Sequence, residues 1–534
     1  MSIIVNNLSY AHFGGEPLFS GISFSIPAGR KASLIGDNGV GKSTLLAVVA
    51  GRLAPTSGEI TLSGTHCFVP QHFGQYDRMT VADALGVGDR VRALRAILGG
   101  DPTPNNYTLL DEHWDIEERI RTALDKWRLG DVDADSPMSR LSGGEKTKVF
   151  LAGIDIHTPD IILMDEPTNH LDREGRTRLY ELIGGSRATM LIVSHDRELL
   201  SLPDTTFELT PSGIERYGGN YDFYKSLHDV QLQALDDRIS ESAKALRDAR
   251  RTARETAERK ARMDARGEQK QKKAGVARIM MNTIRDGAEK SASKLKDRHS
   301  EKIEALEQER RELRTRLSDS RNLKIKLDDS GLHRGKILFT ARGINFGYSA
   351  SRMLWPAPFD LQIASGDRIA ISGANGSGKT TLLGIITGRL EPTVGTVVHA
   401  AFDHLYIDQE YSLIDNRLSV LGQLESCNSA NHPDHWLKTE LHRFLFPAGM
   451  WDRPCSALSG GEKMRLMLCC MEVSNSAPDM IILDEPTNNL DIRSMEILTS
   501  TMTGYGGTLL VISHDAHFLS EIGVERYVVL EPNK

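Results

Sequence analysis

Ala32-Ser33-Leu34-Ile35-Gly36-Asp37-Asn38-Gly39-Val40-Gly41-Lys42-Ser43-Thr44 is the stretch that decides the fold. Ala32 to Ile35 reads as a short buried strand, the glycine-rich octet from Gly36 to Ser43 as a loop, and TLLAVVAG after it as a helix. GxxxxGK[ST] in a strand–loop–helix setting is a phosphate-binding loop. Its glycines let backbone N–H groups close on phosphate oxygens, and the start of a helix favours an anion. Lys42 is expected to reach the β- and γ-phosphates of a nucleotide, and the Ser43 hydroxyl to hold Mg²⁺.

Reading outward, Gln71 follows the strand-like FVP. The segment from Thr80 to Pro137 mixes helix and loop, and its Trp114, Leu124 and Trp127 are expected to contribute to a core. Leu141-Ser142-Gly143-Gly144-Glu145 then opens a helix. Small residues there expose backbone donors, although they also suit an ordinary N-cap. Ile161-Ile162-Leu163-Met164 reads as an apolar strand ending in Asp165-Glu166. A carboxylate pair at a strand end is well placed for chemistry. Asp165 is expected in the magnesium shell, and Glu166 is expected to polarise a water for in-line attack. Thr168-Asn169-His170-Leu171-Asp172 follows, and a further buried strand, Leu191-Ile192-Val193, delivers Ser194-His195-Asp196.

The same order returns in the second half. The loop is Gly373-Ala374-Asn375-Gly376-Ser377-Gly378-Lys379-Thr380, leading into Thr381. Gln409 follows LYID, and Leu458-Ser459-Gly460-Gly461-Glu462 opens a helix. IIL ends in Asp484-Glu485, then come Asn488-Asn489-Leu490-Asp491 and Ser513-His514-Asp515. Spacing separates duplication from coincidence. Lys42 to Gln71 is 29 residues and Lys379 to Gln409 is 30; Asp165 to His195 and Asp484 to His514 are both 30. One interval differs: Gln71 to Leu141 is 70 and Gln409 to Leu458 is 49, so the first copy carries a surplus there.

This ordered set resembles the ATP-binding cassette ATPases: phosphate loop, Q-loop, LSGGE signature, Asp-Glu strand end, D-loop and switch histidine, all present twice. Two cassettes on one chain with a charged helical linker resemble the ABC-F subfamily. The resemblance implies an α/β fold with two P-loop NTPase domains, residues 1–226 and 335–534, joined by an antiparallel α-helical hairpin, residues 227–334. It implies ATP and Mg²⁺ as cofactors and hydrolysis of ATP to ADP and phosphate. Glu166, Glu485, His195 and His514 would be catalytic. The nucleotide would be held by residues 36–44 and 373–381, while Ser43, Gln71 and Asp165, or Thr380, Gln409 and Asp484, would serve the metal. The cassettes would close head to tail within one monomer, making each site composite. Lys42, Gln71, Asp165, Glu166 and His195 would face Ser459, Gly460, Gly461 and Glu462; Lys379, Gln409, Asp484, Glu485 and His514 would face Ser142, Gly143, Gly144 and Glu145. In this family an aromatic upstream of each phosphate loop stacks on adenine; Tyr348 fits that place in the second copy, and Phe13 fits it better than Tyr10 in the first.

The linker supplies the rest. Leu232, Leu235, Ile239, Ser242 and Leu246 are spaced 3, 4, 3 and 4; Ile303, Leu306, Leu313 and Leu317 are spaced 3, 7 and 4. Both are heptad-like seams on helical sequence. Glycines at 267, 275 and 287 punctuate the middle, suggesting the turn of a hairpin with its tip at 266–290 and with Met280 and Met281 packed inside it. From Arg247 to Arg298 there are 17 Lys/Arg and 8 Asp/Glu, a balance of +9 on a chain whose net charge is −7. Such a segment calls for a polyanion. Between Lys225 and Arg334 there is no Phe, Tyr or Trp, so base stacking is excluded, and phosphate contact with a folded RNA fits better. By resemblance the hairpin would enter the ribosome and touch rRNA and the P-site tRNA, making the chain a translation factor or a ribosomal protection factor against antibiotics. The surplus of about 21 residues in the first copy falls where some family members insert an arm and is short, so any arm is expected to be reduced.

Other readings are narrower. No run of about 18 uncharged apolar residues exists, so no membrane span is expected. The opening MSIIVNNLSY lacks the pattern of a signal peptide, and five cysteines lack disulfide or metal spacing, so a cytoplasmic location is expected. A separate nucleotide-binding subunit of a transporter would not explain the fused cassettes and basic linker. DNA-associated ABC-F relatives carry a basic extension after the second cassette, whereas 20 residues follow His514 here.

Overall fold

The computed structural model describes residues 1–12, 15, 17–274, 300–313, 331–348, 352–374, 376–474, 477–487 and 490–531. Phe13, Asn375, Met280, Met281, Leu317 and most of 266–290 lie outside them. The chain divides into two compact units, one of Met1–Asp222 with Leu323–Lys534, the other of Phe223–Asn322.

The first unit is built twice on one plan. In the first cassette a six-stranded sheet runs His66–Val69, Ile161–Asp165, Thr189–Val193, Lys31–Ile35, Thr205–Thr210, Gly213–Tyr217. All neighbours are parallel except the last pair. In the second, five parallel strands run His404–Ile407, Met480–Asp484, Thr508–Ile512, Arg368–Gly373, Arg526–Leu530. Parallel strands are covered on both faces, which is why IILMD and TMLIV are apolar without alternation and buried throughout. Successive side chains still serve opposite faces. Ile161 and Leu163 join the core that includes the phosphate-loop helix, while Ile162 and Met164 join the core under helix Gly143–His157. Each cassette adds a three-stranded antiparallel sheet: Ile3–Ala11 between Pro17–Ile26 and Ser57–Leu62, and Ile337–Asn345 between Phe359–Ala364 and Val394–His399.

This strand order does the functional work. It sets the C-terminal ends of the loop strand, the Asp-Glu strand and the histidine strand side by side, the edge where open parallel sheets bind ligands. The pairing of Asp165 with Val193 brings residues 28 apart in sequence to one rim.

In this interval the first cassette has helices Val81–Ala84, Gly88–Leu98, Pro104–Leu110 and Ile116–Lys126, the second only Val420–Ser426 and Asp434–Arg443 among its described residues. Leu124 and Trp127 are buried as expected, but Trp114 is 51% exposed and meets only the edge of the helical layer, tilted against Tyr107 at 6.1 Å. The expectation for Trp114 therefore fails: it lies in the turn between two short helices, beyond the face they pack. Trp127 fills the layer and its Nε1 donates to Asp155 Oδ2 at 3.2 Å. Trp127→Ala is expected to cost about 3–5 kcal/mol, read as a lower urea midpoint for the first cassette by circular dichroism. A loss below about 1 kcal/mol would contradict this packing.

The second unit contains most of one helix, Tyr221–Ala274, 54 residues long and so roughly 80 Å. Ser242 and Leu246 are buried and Leu232, Leu235 and Ile239 half-buried, the face marked by the heptad-like spacing. Residues 300–313 are helical, and Arg250 Nη2 donates to Glu307 Oε1 at 2.6 Å, so the two arms touch. The helix does not break at Gly267. One glycine costs a helix about 1 kcal/mol relative to alanine, and the run of Arg, Glu, Gln and Lys around it offsets that.

Candidate active sites

Each phosphate loop meets its sheet through glycines that nothing else could replace. A Cβ on Gly36 would strike the carbonyl oxygen of Leu209, and one on Gly373 would strike that of Leu530, each on the neighbouring strand. Lys42 Nζ donates to the carbonyls of Gly36 (2.7 Å) and Asp37 (3.0 Å). Lys379 Nζ does the same to Gly373 (2.8 Å) and Ala374 (3.3 Å). Helices Lys42–Val49 and Lys379–Ile386 start at left-handed Gly41 and Gly378 without a side-chain cap. Their first N–H groups therefore point into the loop, as phosphate binding requires.

At the neighbouring rim, Glu166 and Glu485 adopt φ of 48° and 51°, a left-handed conformation that costs a non-glycine residue about 1–3 kcal/mol. The turn is held by Glu166 N–H donating to Val193 O and Glu485 N–H donating to Ile512 O, both at 2.8 Å. It swings each carboxylate over the histidine strand. His195 Nε2 lies 3.3 Å from Glu166 Oε1, and His514 Nε2 lies 3.3 Å from Glu485 Oε1. Burial drives these groups toward neutrality. Glu166 is raised by burial and next by Asp165 beside it, and Glu485 is pushed up to about 7 by burial. Asp165 is pushed up to about 6 by burial, against the hydrogen bond from Ser43. Burial holds His514 down at about 4 and His195 below the usual range.

The donor set fits Mg²⁺ and nucleotide. Ser43 Oγ donates to Asp165 Oδ1 at 3.0 Å, so the two expected metal groups already converge. Glu166 Oε1 and Glu485 Oε2, both buried, make no hydrogen bond. Such acceptors suit a water or an ion shell that the protein alone does not complete. In the second site Tyr406, which the sequence reading passed over, donates its hydroxyl to Asp484 Oδ2 at 2.7 Å. Gln71 is half-buried just beyond strand His66–Val69.

The signature segments sit opposite. Ser142 and Ser459 cap helices Gly143–His157 and Gly460–Ser474. Each forms a reciprocal box with the glutamate three residues on: Ser142 Oγ to Glu145 Oε2 is 2.7 Å, and Ser459 Oγ to Glu462 Oε2 is 2.8 Å. A cavity of about 510 Å³ is lined by Ser142, Gly143 and Gly144 from one cassette and by residues 376–381, Gln409, Asp484, Glu485 and His514 from the other. Tyr348 stands at its edge, 77% exposed, with its hydroxyl 2.8 Å from Thr381 Oγ1 and its ring edge-on to Phe346. The other pairing is tighter. Asn38 Nδ2 lies 3.5 Å from where a Cβ on Gly461 would sit, and Asp491 is within electrostatic reach of Lys42 and His195. Tyr10 is half-buried, stacked on Phe19 and edge-on to His12. His170 and Arg176, which the motif reading did not single out as site residues, line the 510 Å³ cavity as well. His170 lies in the quoted Thr168–Asp172 stretch, whereas nothing local marks Arg176; only the facing of the cassettes puts it there.

Comparison with known proteins gives the same answer. A family model described as ABC transporter matches residues 19–169 and 357–488. The ATP-binding protein YfmR of Bacillus subtilis (strain 168) is 31% identical across the whole chain and 82% of its own length. ABC transporter F family member 5 of Arabidopsis thaliana is 28% identical over 97% of this chain and 73% of its own. Among solved structures, a chain from the complex of archaeal ribosomal stalk protein aP1 with archaeal ribosome recycling factor aABCE1 superposes with a TM-score of 0.58, at 19% identity, over 98% of this chain and 90% of that one.

Proposed function

Since this chain belongs to the ABC transporter family, within its ABC-F branch, and is an ATPase, we propose that it binds the ribosome and couples ATP binding and hydrolysis to an action on translation. The observation that carries this is the 54-residue helix of the second unit. It bears much of the +9 segment, with Arg251 and Arg254 largely exposed, on a chain that is otherwise negative. Coulombic attraction to RNA phosphates and the length of the helix are the physical grounds. The likeness in fold to a chain from a complex with a ribosome recycling factor supports the same reading.

At each site the loop N–H groups and Lys42 or Lys379 bind the β- and γ-phosphates. Glu166 or Glu485 accepts a hydrogen bond from the attacking water and takes its proton, and His195 or His514 orients that water and the γ-phosphate. Ser43 with Asp165, or Thr380 with Asp484, would hold the shell of a Mg²⁺ ion, which when bound would neutralise phosphate charge. Signature amides from the opposite cassette bind the γ-phosphate, so they hold the cassettes together only while it is present. Gln71 and Gln409 complete the metal surroundings. Adenine stacks on Tyr348 in the second site. Residues 1–226 and 335–534 are the two cassettes and 227–334 the effector, in a cytoplasmic monomer.

The test is sedimentation. The Glu166→Gln, Glu485→Gln variant with ATP is expected to pellet with ribosomes through a sucrose cushion and to be released when nucleotide is omitted. Failure to pellet with ATP would sink the ribosomal reading and leave the ATPase standing.

A further inference from the structure

One buried charge near the second site belongs to the wrong cassette. Helices Arg173–Gly185 and Ile492–Gly504 start from equivalent caps, Asp172 and Asp491. At the fourth helical position the first carries Arg176 and the second Met495. Arg176 is buried, and Nη1 donates to Asp196 Oδ2 at 3.0 Å while Nε donates to Leu171 O at 3.4 Å. Tyr180 donates its hydroxyl to the same Asp196 oxygen at 2.8 Å, and Asp196 caps helix Arg197–Leu200. The second cassette has Thr499 where the first has Tyr180. The guanidinium is thus fixed by a network that exists on one side alone.

Its free side faces the other cassette. Arg176 lines the 510 Å³ cavity with Lys379, Glu485 and His514. It also borders a cavity of about 20 Å³ shared with Glu166, Met495 and Asp515, where the D-loop elements of the two cassettes meet. Its charge lies within electrostatic reach of both Glu485 and His514. A fixed planar donor beside a carboxylate and an imidazole restricts their orientations, and in a buried site such restriction is worth more than in water. Met495, facing Glu166 and His195 in the same cavity, offers neither charge nor donor.

We propose that Arg176 is a positioning residue of the second ATP site, delivered by the first cassette to the Glu485–His514 pair, and that the two sites are therefore inequivalent. Hydrolysis at the second site depends on the Arg176–Asp196–Tyr180 network of the opposite cassette, and the first site has no counterpart of it, since Met495 and Thr499 stand at the equivalent positions. The inference rests on the reading of Glu166 and Glu485 as the carboxylates that activate water.

The experiment places Arg176→Met in two backgrounds of the full chain. Glu166→Gln leaves the second site to be read, and Glu485→Gln leaves the first. ATP turnover in the Glu166→Gln background is expected to fall by about tenfold or more in kcat, with KM for ATP shifted less than about threefold. The fall in the Glu485→Gln background is expected to be at least about fivefold smaller. Arg176→Lys keeps the charge without the fork and is expected to recover part of the lost kcat. It is also the variant read if Arg176→Met does not fold. Equal losses in both backgrounds, a loss carried by KM, or no recovery with lysine at an unchanged melting temperature would each overturn the proposal. Turnover by the Glu166→Gln, Glu485→Gln double variant would instead sink the assignment of the carboxylates.

Discussion

Replacing Glu166 and Glu485 together by Gln is expected to lower ATP turnover at least about 100-fold while leaving ATP affinity within about threefold. The substitution keeps the shape and one oxygen of each side chain, replaces the other oxygen with an amide donor, and removes the charge and the capacity to take a proton. Binding is carried elsewhere, by the loop N–H groups and by Lys42 and Lys379, so it survives. The fold survives as well. The left-handed turn at each glutamate is held by its backbone N–H to Val193 or Ile512, not by the carboxylate. Steady-state phosphate release and equilibrium binding of a fluorescent ATP analogue check the two halves. Turnover within about tenfold of the parent chain would mean that water is activated by other groups.

The second large effect runs the other way. Replacing Lys42 and Lys379 by Ala is expected to cost about 3 kcal/mol of ATP affinity per site, roughly 100-fold. Two losses combine. The charge-assisted hydrogen bonds to the β- and γ-phosphates disappear. The clamp that each ammonium makes on two carbonyls of its own loop disappears too, at Gly36 and Asp37 and at Gly373 and Ala374. Without that clamp the loop must be ordered by the ligand, which binds more weakly for it. Titration calorimetry measures the change directly, and an affinity within about threefold of the parent would show that the lysines do not contact the nucleotide. The contrast between the two double variants separates binding from chemistry: one keeps ATP and cannot cleave it, the other does not hold it.

Much of the fold was legible because its signals are local. A buried strand running into a glycine-rich loop and a helix is one continuous covalent unit, and so is IILMD with its glutamate. The capping boxes at Ser142 and Ser459 were legible as either caps or anion donors; they are caps, with the helix N-termini also lining the sites. Trp114 misled because a large aromatic in a helical segment normally packs, and its position between two short helices is not written in any periodicity. Gly267 misled because a residue's own propensity yields to its neighbours within a long helix.

The sequence alone determined what the chain repeats and in what order: two phosphate loops, two signature turns, two carboxylate strand ends, two histidines and a basic linker between them. Each of these depends on residues close together along the chain. Only the tertiary structure decided the left-handed turns of Glu166 and Glu485, the pairing of each loop with the opposite signature, and the single-sided Arg176 network. Those depend on which strand ends lie side by side and on which cassette faces which, contacts from 16 to more than 300 positions apart that no local pattern encodes.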